Sequence, residues 1–146
     1  NVEEIGCEAL RSCTSLFEIK NTQSIRLLDT CCMAYTLISG MNLPNVRDIR
    51  YRAFLGCDYL QEIRLGANLS SISDDCLCIE NSMIGCISGL GSYYIEAVTP
   101  PAVVYGALGE TRYRTGHEPT LFVPNGSVES YKSEMGKYFS KIEPIQ

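Results

Sequence analysis

The sequence predicts an α/β solenoid: a right-handed superhelix of about four short coils, with a parallel sheet on one face and a small C-terminal cap. Two observations carry this. Spaced apolar residues recur every 21 to 23 residues along most of the chain. The copies also share an apolar L-x-x-I ending, extended in the clearest to L-x-x-I-x-L, the alternation of a short strand, because residues two apart on a strand face the same side. A strand in every copy, with each copy too small to close its own core, implies that copies stack.

The clearest copy runs from Ile49 through Ala53, Phe54, Cys57, Leu60 and Ile63 to Leu65. A shift of 44 residues lays Ile5, Ala9, Leu10, Cys13, Leu16 and Ile19 on Ile49, Ala53, Phe54, Cys57, Leu60 and Ile63. Half that shift gives an intervening copy, with Ile38, Met41 and Leu43 in place of Leu60, Ile63 and Leu65. Ile72 follows Ile49 by 23 residues; Cys76-Leu77 then stands where Ala53-Phe54 stood, and Met83 where Leu60 stood. Leu16 to Ile38 is 22 residues and Leu28 to Ile49 is 21, a difference that a shortened loop makes without moving the core. Ile63 and Leu65 are therefore expected inside, and Glu62 and Arg64 outside. Ala53-Phe54 and their equivalents fall on the returning limb, in a turn or short helix. Pro44 ends the strand before it, since proline cannot donate to a ladder.

After residue 92 the period stops. Residues 93–98 read as one more strand from their β-branched and aromatic content, ended by Thr99-Pro100-Pro101. Residues 106–119 are polar and glycine-rich and read as a loop. Thr120 to Val123 is a short strand stopped by Pro124, and Asn125-Gly126 a turn. Ser127 suits the N-cap of a helix over 128–135, with Glu129 in its first turn and Gly136 after its end. Phe139, Ile142 and Ile145 supply apolar anchors for a closing segment. The expected division is a solenoid over residues 1–98 and a cap over 99–146.

The pattern Ala53-Phe54, Cys57, Leu60, Ile63, Leu65 resembles the BspA-like class of leucine-rich repeats, over roughly residues 2–88. The tail resembles the segment that ends such arrays: Pro100-Pro101, then residues 121–128, then Tyr131, then Phe139 to Ile142. The resemblance implies a leucine-rich repeat superhelix from a secreted or cell-surface bacterial protein, notably of the Bacteroides group, that attaches to host proteins or other cells. No N-terminal cap is visible. The chain begins at Asn1 without a methionine, as expected of a processed or truncated product, so further repeats or another domain are expected before it.

Composition narrows the partners. The 146 residues are 45% hydrophobic and 20% charged, with net charge −5. An acidic chain without a Lys/Arg run is a poor match for nucleic acid or an anionic membrane. No apolar stretch is long enough to cross a membrane, and no signal peptide stands at the start.

The eight cysteines divide by register. Cys13 and Cys57 share one repeat position, Cys32 and Cys76 another, and Cys86 a strand-core position; as small apolar side chains they suit a packed interior. Cys7, Cys31 and Cys78 fall off these positions. Disulfides between adjacent coils stay open, because Cα separations decide them. The Cys31-Cys32 and Cys76-x-Cys78 spacings do not match structural zinc ligands, and the chain has one histidine. That residue, His117, lies in the polar loop between Gly116 and Glu118, and a hydrolase would have to use it. No nucleophile elbow accompanies it. Asp74-Asp75 lacks calcium-loop spacing and reads as a solvated turn. Asn68 and Asn125 begin glycosylation sequons that the bacterial resemblance makes irrelevant.

What remains is a surface. In-register strands would set Glu18, Gly40 and Glu62 in one outward row and Lys20, Asn42 and Arg64 in another, with Phe17 and Tyr59 beside the strand starts. Tyr105 and Tyr113 mark a second surface. The expected function is a non-enzymatic protein-binding or adhesion module, located outside the cell or on its surface. It uses Phe17, Glu18, Lys20, Asn42, Tyr59, Glu62 and Arg64, with no catalytic residue, cofactor or metal. The expected partner is a protein, host extracellular matrix or another surface protein, with no nucleic acid and no membrane insertion. The uncapped N-terminal coil is a further place for association. The alternatives are a structural spacer and, as an outsider, a hydrolase built on His117.

Overall fold

The computed structural model of the chain describes residues 1–73, 91–103 and 119–146. Its strands form two sheets, and every pairing is parallel. One sheet is narrow, built of two-residue strands in the order β1 (Glu4–Ile5), β2 (Leu27–Leu28), β4 (Asp48–Ile49), β6 (Ser71–Ile72), β8 (Ala102–Val103). The other is broad, built of four-residue strands in the order β3 (Gly40–Leu43), β5 (Glu62–Leu65), β7 (Ser92–Ile95), β9 (Thr120–Val123), β10 (Lys141–Pro144). From β2 to β9 the chain alternates between the two sheets, so each circuit adds one strand to each. The expected sheet on one face is thus joined by a second on the other limb. Ala53 and Phe54 lie in the turns between them.

The register builds the core as columns. Met41 pairs with Ile63, Ile63 with Tyr93, and Tyr93 with Leu121. Leu43 pairs with Leu65 and Leu65 with Ile95. On the narrow sheet Ile5, Leu28, Ile49 and Ile72 line up in the same way. All of these side chains are buried. Each fully buried aliphatic side chain contributes about 1.5–3 kcal/mol, and most of its contacts come from the coils above and below.

The turns between the sheets repeat their own geometry. Glu8, Cys31 and Arg52 hold positive φ in one repeat position, and Ser12, Tyr35 and Gly56 in another. The chain bends twice per coil through left-handed residues. Glycine takes the bend only at Gly56, where a Cβ would come within 2.4 Å of the Tyr35 ring. Gly66, just past β5, has a different reason to be glycine: a Cβ there would lie 1.8 Å from the Pro44 carbonyl oxygen of the preceding coil.

Several expectations change. Residues 16–20 carry no regular strand, although Leu37 N–H still donates to Leu16 O (2.9 Å) and Ser39 N–H to Phe17 O (3.4 Å). No coil of this chain packs on their outer side, so Leu16 and Ile19 are only partly buried and the segment leaves the ladder after Phe17. The strand beside β5 is β7, with Glu62 opposite Ser92, thirty residues on. The copy read from Cys76 to Met83, with Cys78, Cys86 and Asp74-Asp75, lies outside the described residues.

The cysteines that stand in one repeat position also part ways. Cys57 is fully buried, its thiol 3.1 Å from Met33 O and 3.4 Å from Thr36 Oγ1. Cys13 is exposed, because no preceding coil supplies the equivalent of Thr36 and Met33. Cys32 is buried as expected, Cys31 half-buried and Cys7 exposed; all five are free thiols.

Past residue 98 the sheets continue. β8 pairs with β6, β9 with β7 and β10 with β9. The helix α1 (Val128–Met135) forms as expected, but the Ser127 hydroxyl makes no cap; it donates to Val98 O at 2.7 Å. Tyr131, fully buried, donates to Ala97 O at 2.8 Å, and Phe139 meets the Tyr93 ring edge-on at 5.0 Å. These contacts tie the helix and its flanks to β7 and the segment after it.

Replacing fully buried Ile63 by Asp leaves a carboxylate without a partner inside the column. This costs more than about 4 kcal/mol. The variant is expected to lose its cooperative transition in thermal and urea unfolding followed by circular dichroism; a wild-type curve would contradict the register. Burial also makes stability pH-dependent at the alkaline end. Desolvation pushes the Cys32 thiol up to about 12 and the Cys57 thiol in the same direction, against an ordinary value of 9.0. Above pH 9 the unfolded chain therefore releases these protons while the folded chain keeps them, and stability falls. The slope is up to about 1.4 kcal/mol per pH unit for each thiol. Urea titrations under reducing conditions between pH 8 and 10 check this, and Cys32→Ala, the residue found at Ala53, should flatten the slope.

Candidate surface of the broad sheet

In-register parallel strands place equivalent outward residues side by side, about 4.8 Å apart. On the broad sheet this produces two rows. Gly40, Glu62, Ser92 and Thr120 form one; Asn42, Arg64, Tyr94 and Phe122 form the other. β10 adds Lys141 beside Thr120 and Glu143 beside Phe122. The inward neighbours of these residues are the core columns, so the backbone under the rows is rigidly placed.

The second row is a stack of planar groups. The Tyr94 and Phe122 rings lie 4.7 Å apart and 13° from parallel. The Arg64 guanidinium sits 3.8 Å from the centre of the Tyr94 ring, on the side toward β3. Arg64 Nε donates to Glu62 Oε1 at 2.7 Å, and the side chains are 40% and 45% exposed. That bond raises the guanidinium's pKa further, so it is always charged. The stacked rings cover each other's facing sides and the guanidinium covers the Tyr94 ring from the other strand, so each of the three side chains is braced by a neighbour. Such a rigid cationic–aromatic cluster is the side-chain composition that dominates protein-binding hot spots.

Two more ion pairs join residues two apart along the chain, as Glu62 and Arg64 do. Lys20 Nζ lies 3.4 Å from Glu18 and Lys141 Nζ 3.2 Å from Glu143. For Lys141 and Glu143, as for Glu62 and Arg64, facing one side of a strand brings the residues together, whereas Glu18 and Lys20 meet outside the strands. Exposed pairs of this kind add at most about 1 kcal/mol each. They leave the face near neutral.

The sequence-derived surface residues sort as follows. Asn42, Glu62 and Arg64 come together on the broad sheet, with Asn42 opposite Arg64 and Gly40 opposite Glu62. Glu18 and Lys20 pair with each other on residues outside the strands. Phe17 and Tyr59 are 65% and 62% exposed and, with exposed Leu37, lie on three successive coils just ahead of the sheet. Tyr94 and Phe122 were missed. Their strands follow β5 at 30 and 58 residues, so the period hides them. The signal is the shared alternation of residues 62–65, 92–95 and 120–123, which puts Arg64, Tyr94 and Phe122 in the same place.

Elsewhere, His117, Tyr105 and Tyr113 lie outside the described residues. Among the described residues no group of three or more His, Cys, Asp or Glu is placed to hold a metal ion. At the N-terminal end Ile5, Leu10, Leu16, Ile19 and Ile25 line an open apolar concavity of about 590 Å³. No helix of the described residues is long and apolar enough to cross a membrane.

Tyr94→Ala removes one ring-on-ring contact and one cation–π contact from a half-exposed site, an expected cost of about 1–2 kcal/mol. A double-mutant cycle with Phe122→Ala, read by urea unfolding, should show coupling between the two positions. Additive losses would mean that the rings do not stack in solution.

Comparison with known proteins agrees with the geometry. A family model described as BspA type leucine rich repeat region, in six copies, matches residues 1–88. Among curated proteins none matches the chain. Among solved structures, the crystal structure of pneumococcal vaccine antigen PcpA superposes with a TM-score of 0.67 at 14% identity. The alignment covers 99% of this chain and 34% of that one, so the chain spans about a third of that protein's length.

Proposed function

The chain belongs to the BspA-type leucine-rich repeat family, and from that premise we propose that it is a non-enzymatic protein-binding module whose partner docks on the outer face of the broad sheet. One observation carries the reading: Arg64, Tyr94 and Phe122 form a rigid, half-exposed stack on three adjacent strands. A surface with no partner has no need to order an arginine and two aromatic rings in one row. Phe17, Leu37 and Tyr59 extend it as an apolar margin.

The finer reading follows the family. The two sheets are the two limbs of a right-handed coil, and residues 99–146 are its closing segment. The setting is extracellular or at a bacterial surface, with adhesion to a matrix or cell-surface protein as the role; that the structurally similar pneumococcal protein is an antigen supports this setting. The half-covered first coil is a second place where a further coil or another chain associates.

The test is retention. The immobilised chain is exposed to purified extracellular-matrix proteins and to bacterial surface extracts. Wild type is expected to retain a partner at least tenfold better than an Arg64→Gln/Tyr94→Ala variant shown by circular dichroism to be folded. Retention that ignores the two substitutions, or no retention at all, sinks the proposal and leaves a spacer role.

A further inference from the structure

On the reading that the broad sheet receives a protein partner, we propose that Arg64 and Asn42 form the seat for a carboxylate side chain, glutamate or aspartate, on an extended partner segment. Arg64 is held from two sides. Glu62 Oε1 engages Nε at 2.7 Å, and the Tyr94 ring supports the guanidinium plane at 3.8 Å. Both contacts leave the two terminal Nη groups without a hydrogen-bond partner among the described residues. Directly opposite, on β3, the exposed side-chain amide of Asn42 is also uncommitted among the described residues. Gly40, next to it in the first row, has no side chain to fill the space beside Glu62; a Cβ there would touch nothing nearer than Glu62 O at 3.8 Å.

The result is a charged fork and an amide on adjacent strands, beside a position that carries no side chain. An arginine fork with its Nε already taken offers its end-on pair of Nη groups, the geometry that accepts both oxygens of a carboxylate. Asn42, paired with Arg64 on the neighbouring strand, supplies an amide as a further donor. Because Glu62 and Tyr94 hold the guanidinium in place, the ordering of a long side chain is not charged against binding.

Charge selects the class of anion. Glu62 neutralises most of the Arg64 charge, and Glu96 lies near enough to be felt. The remaining pairs, Glu18 with Lys20 and Glu143 with Lys141, cancel. A dianionic phosphate or an anionic lipid surface finds no excess positive field here. A single carboxylate seated by directional hydrogen bonds needs none. Arg64 and Asn42 face each other across adjacent strands, with Glu62 and Gly40 in the parallel row. A side chain projecting from a segment laid across the strands fits this arrangement, and a free C-terminal carboxylate is the competing source that the test separates.

The experiment is an NMR titration of the whole chain with defined peptides. The probe is the blocked peptide acetyl-Thr-Glu-Val-Glu-Thr-amide. Its controls are the same peptide with Gln for both Glu, and that Gln peptide with a free C-terminal carboxylate. The acidic peptide is expected to shift the Arg64 Nε–H and Asn42 side-chain amide signals in a saturable way. The Gln peptides should bind at least about fivefold more weakly, and Arg64→Lys should weaken the acidic peptide by a similar factor, since lysine has neither fork nor stacking plane. Equal binding of the acidic and Gln peptides, undiminished binding by Arg64→Lys, preference for the free C-terminus, or no shift at these signals each overturns the inference. The partner reading is judged separately. Face-dependent retention of a matrix or surface protein together with indifference to Glu or Gln would leave that reading standing and remove only the carboxylate seat.

Discussion

Everything in this molecule depends on parallel, in-register stacking of one coil on the next. A single coil holds a two-residue strand, a four-residue strand and the turns between them, and encloses almost nothing. Ile63 is covered because Met41 lies on one side and Tyr93 on the other. Cys57 is covered because the coil before it supplies Met33 and Thr36. The contrast between Cys57 and its repeat equivalent Cys13 isolates this dependence, since the same residue in the same position is buried or exposed according to whether a coil lies beyond it. Stability is therefore a property of interfaces between coils, as in other repeat proteins.

The same constraint shapes the surface. A register that aligns inward residues into columns aligns outward residues into rows with the same spacing. Planar groups at adjacent positions of a row then stack, as Arg64, Tyr94 and Phe122 do. Charges two residues apart on one strand meet, as Glu62 and Arg64 do. Neither arrangement requires a dedicated fold feature. Residue choice at two positions per strand is enough, so a solenoid can change its binding face without touching its core.

Much of this was legible in the sequence, and the parts that were not share one cause. Columns such as Leu16, Ile38, Leu60 and Met41, Ile63 could be read because period and alternation both come from side-chain burial. The helix at 128–135 and the strand at 120–123 were legible from local turn and cap residues, though the Ser127 hydroxyl serves Val98 O instead of the helix. What failed was distance along the chain. β7 lies 30 residues after β5, so a period of 22 falls short of it, and Tyr94 never came beside Arg64. The first strand failed for a different physical reason. Leu16 and Ile19 have the pattern but only one neighbouring coil, and a pattern does not state whether both neighbours exist. The left-handed bends at Cys31, Tyr35 and Arg52 were also invisible, because tertiary stacking imposes on these residues a conformation that their own chemistry disfavours.

The two sheets are not equivalent as surfaces. A strand of the narrow sheet is two residues long and presents one outward side chain, giving the single row Glu4, Leu27, Asp48, Ser71 and Ala102. Part of that row is already occupied: Asp48 accepts hydrogen bonds from the hydroxyls of Ser70 and Ser71 at 3.0 and 2.6 Å. The row contains no aromatic residue and no arginine. A strand of the broad sheet presents two outward positions, so its face is an array in two dimensions. One position can hold a neighbour in place while the other is left to face outward. Glu62 and Arg64 divide the work in this way, the first fixing the second at Nε and leaving the Nη groups without a hydrogen bond among the described residues. A single row cannot make that division, because a residue there has only the next coil to lean on. The binding role proposed above therefore falls to the broad sheet.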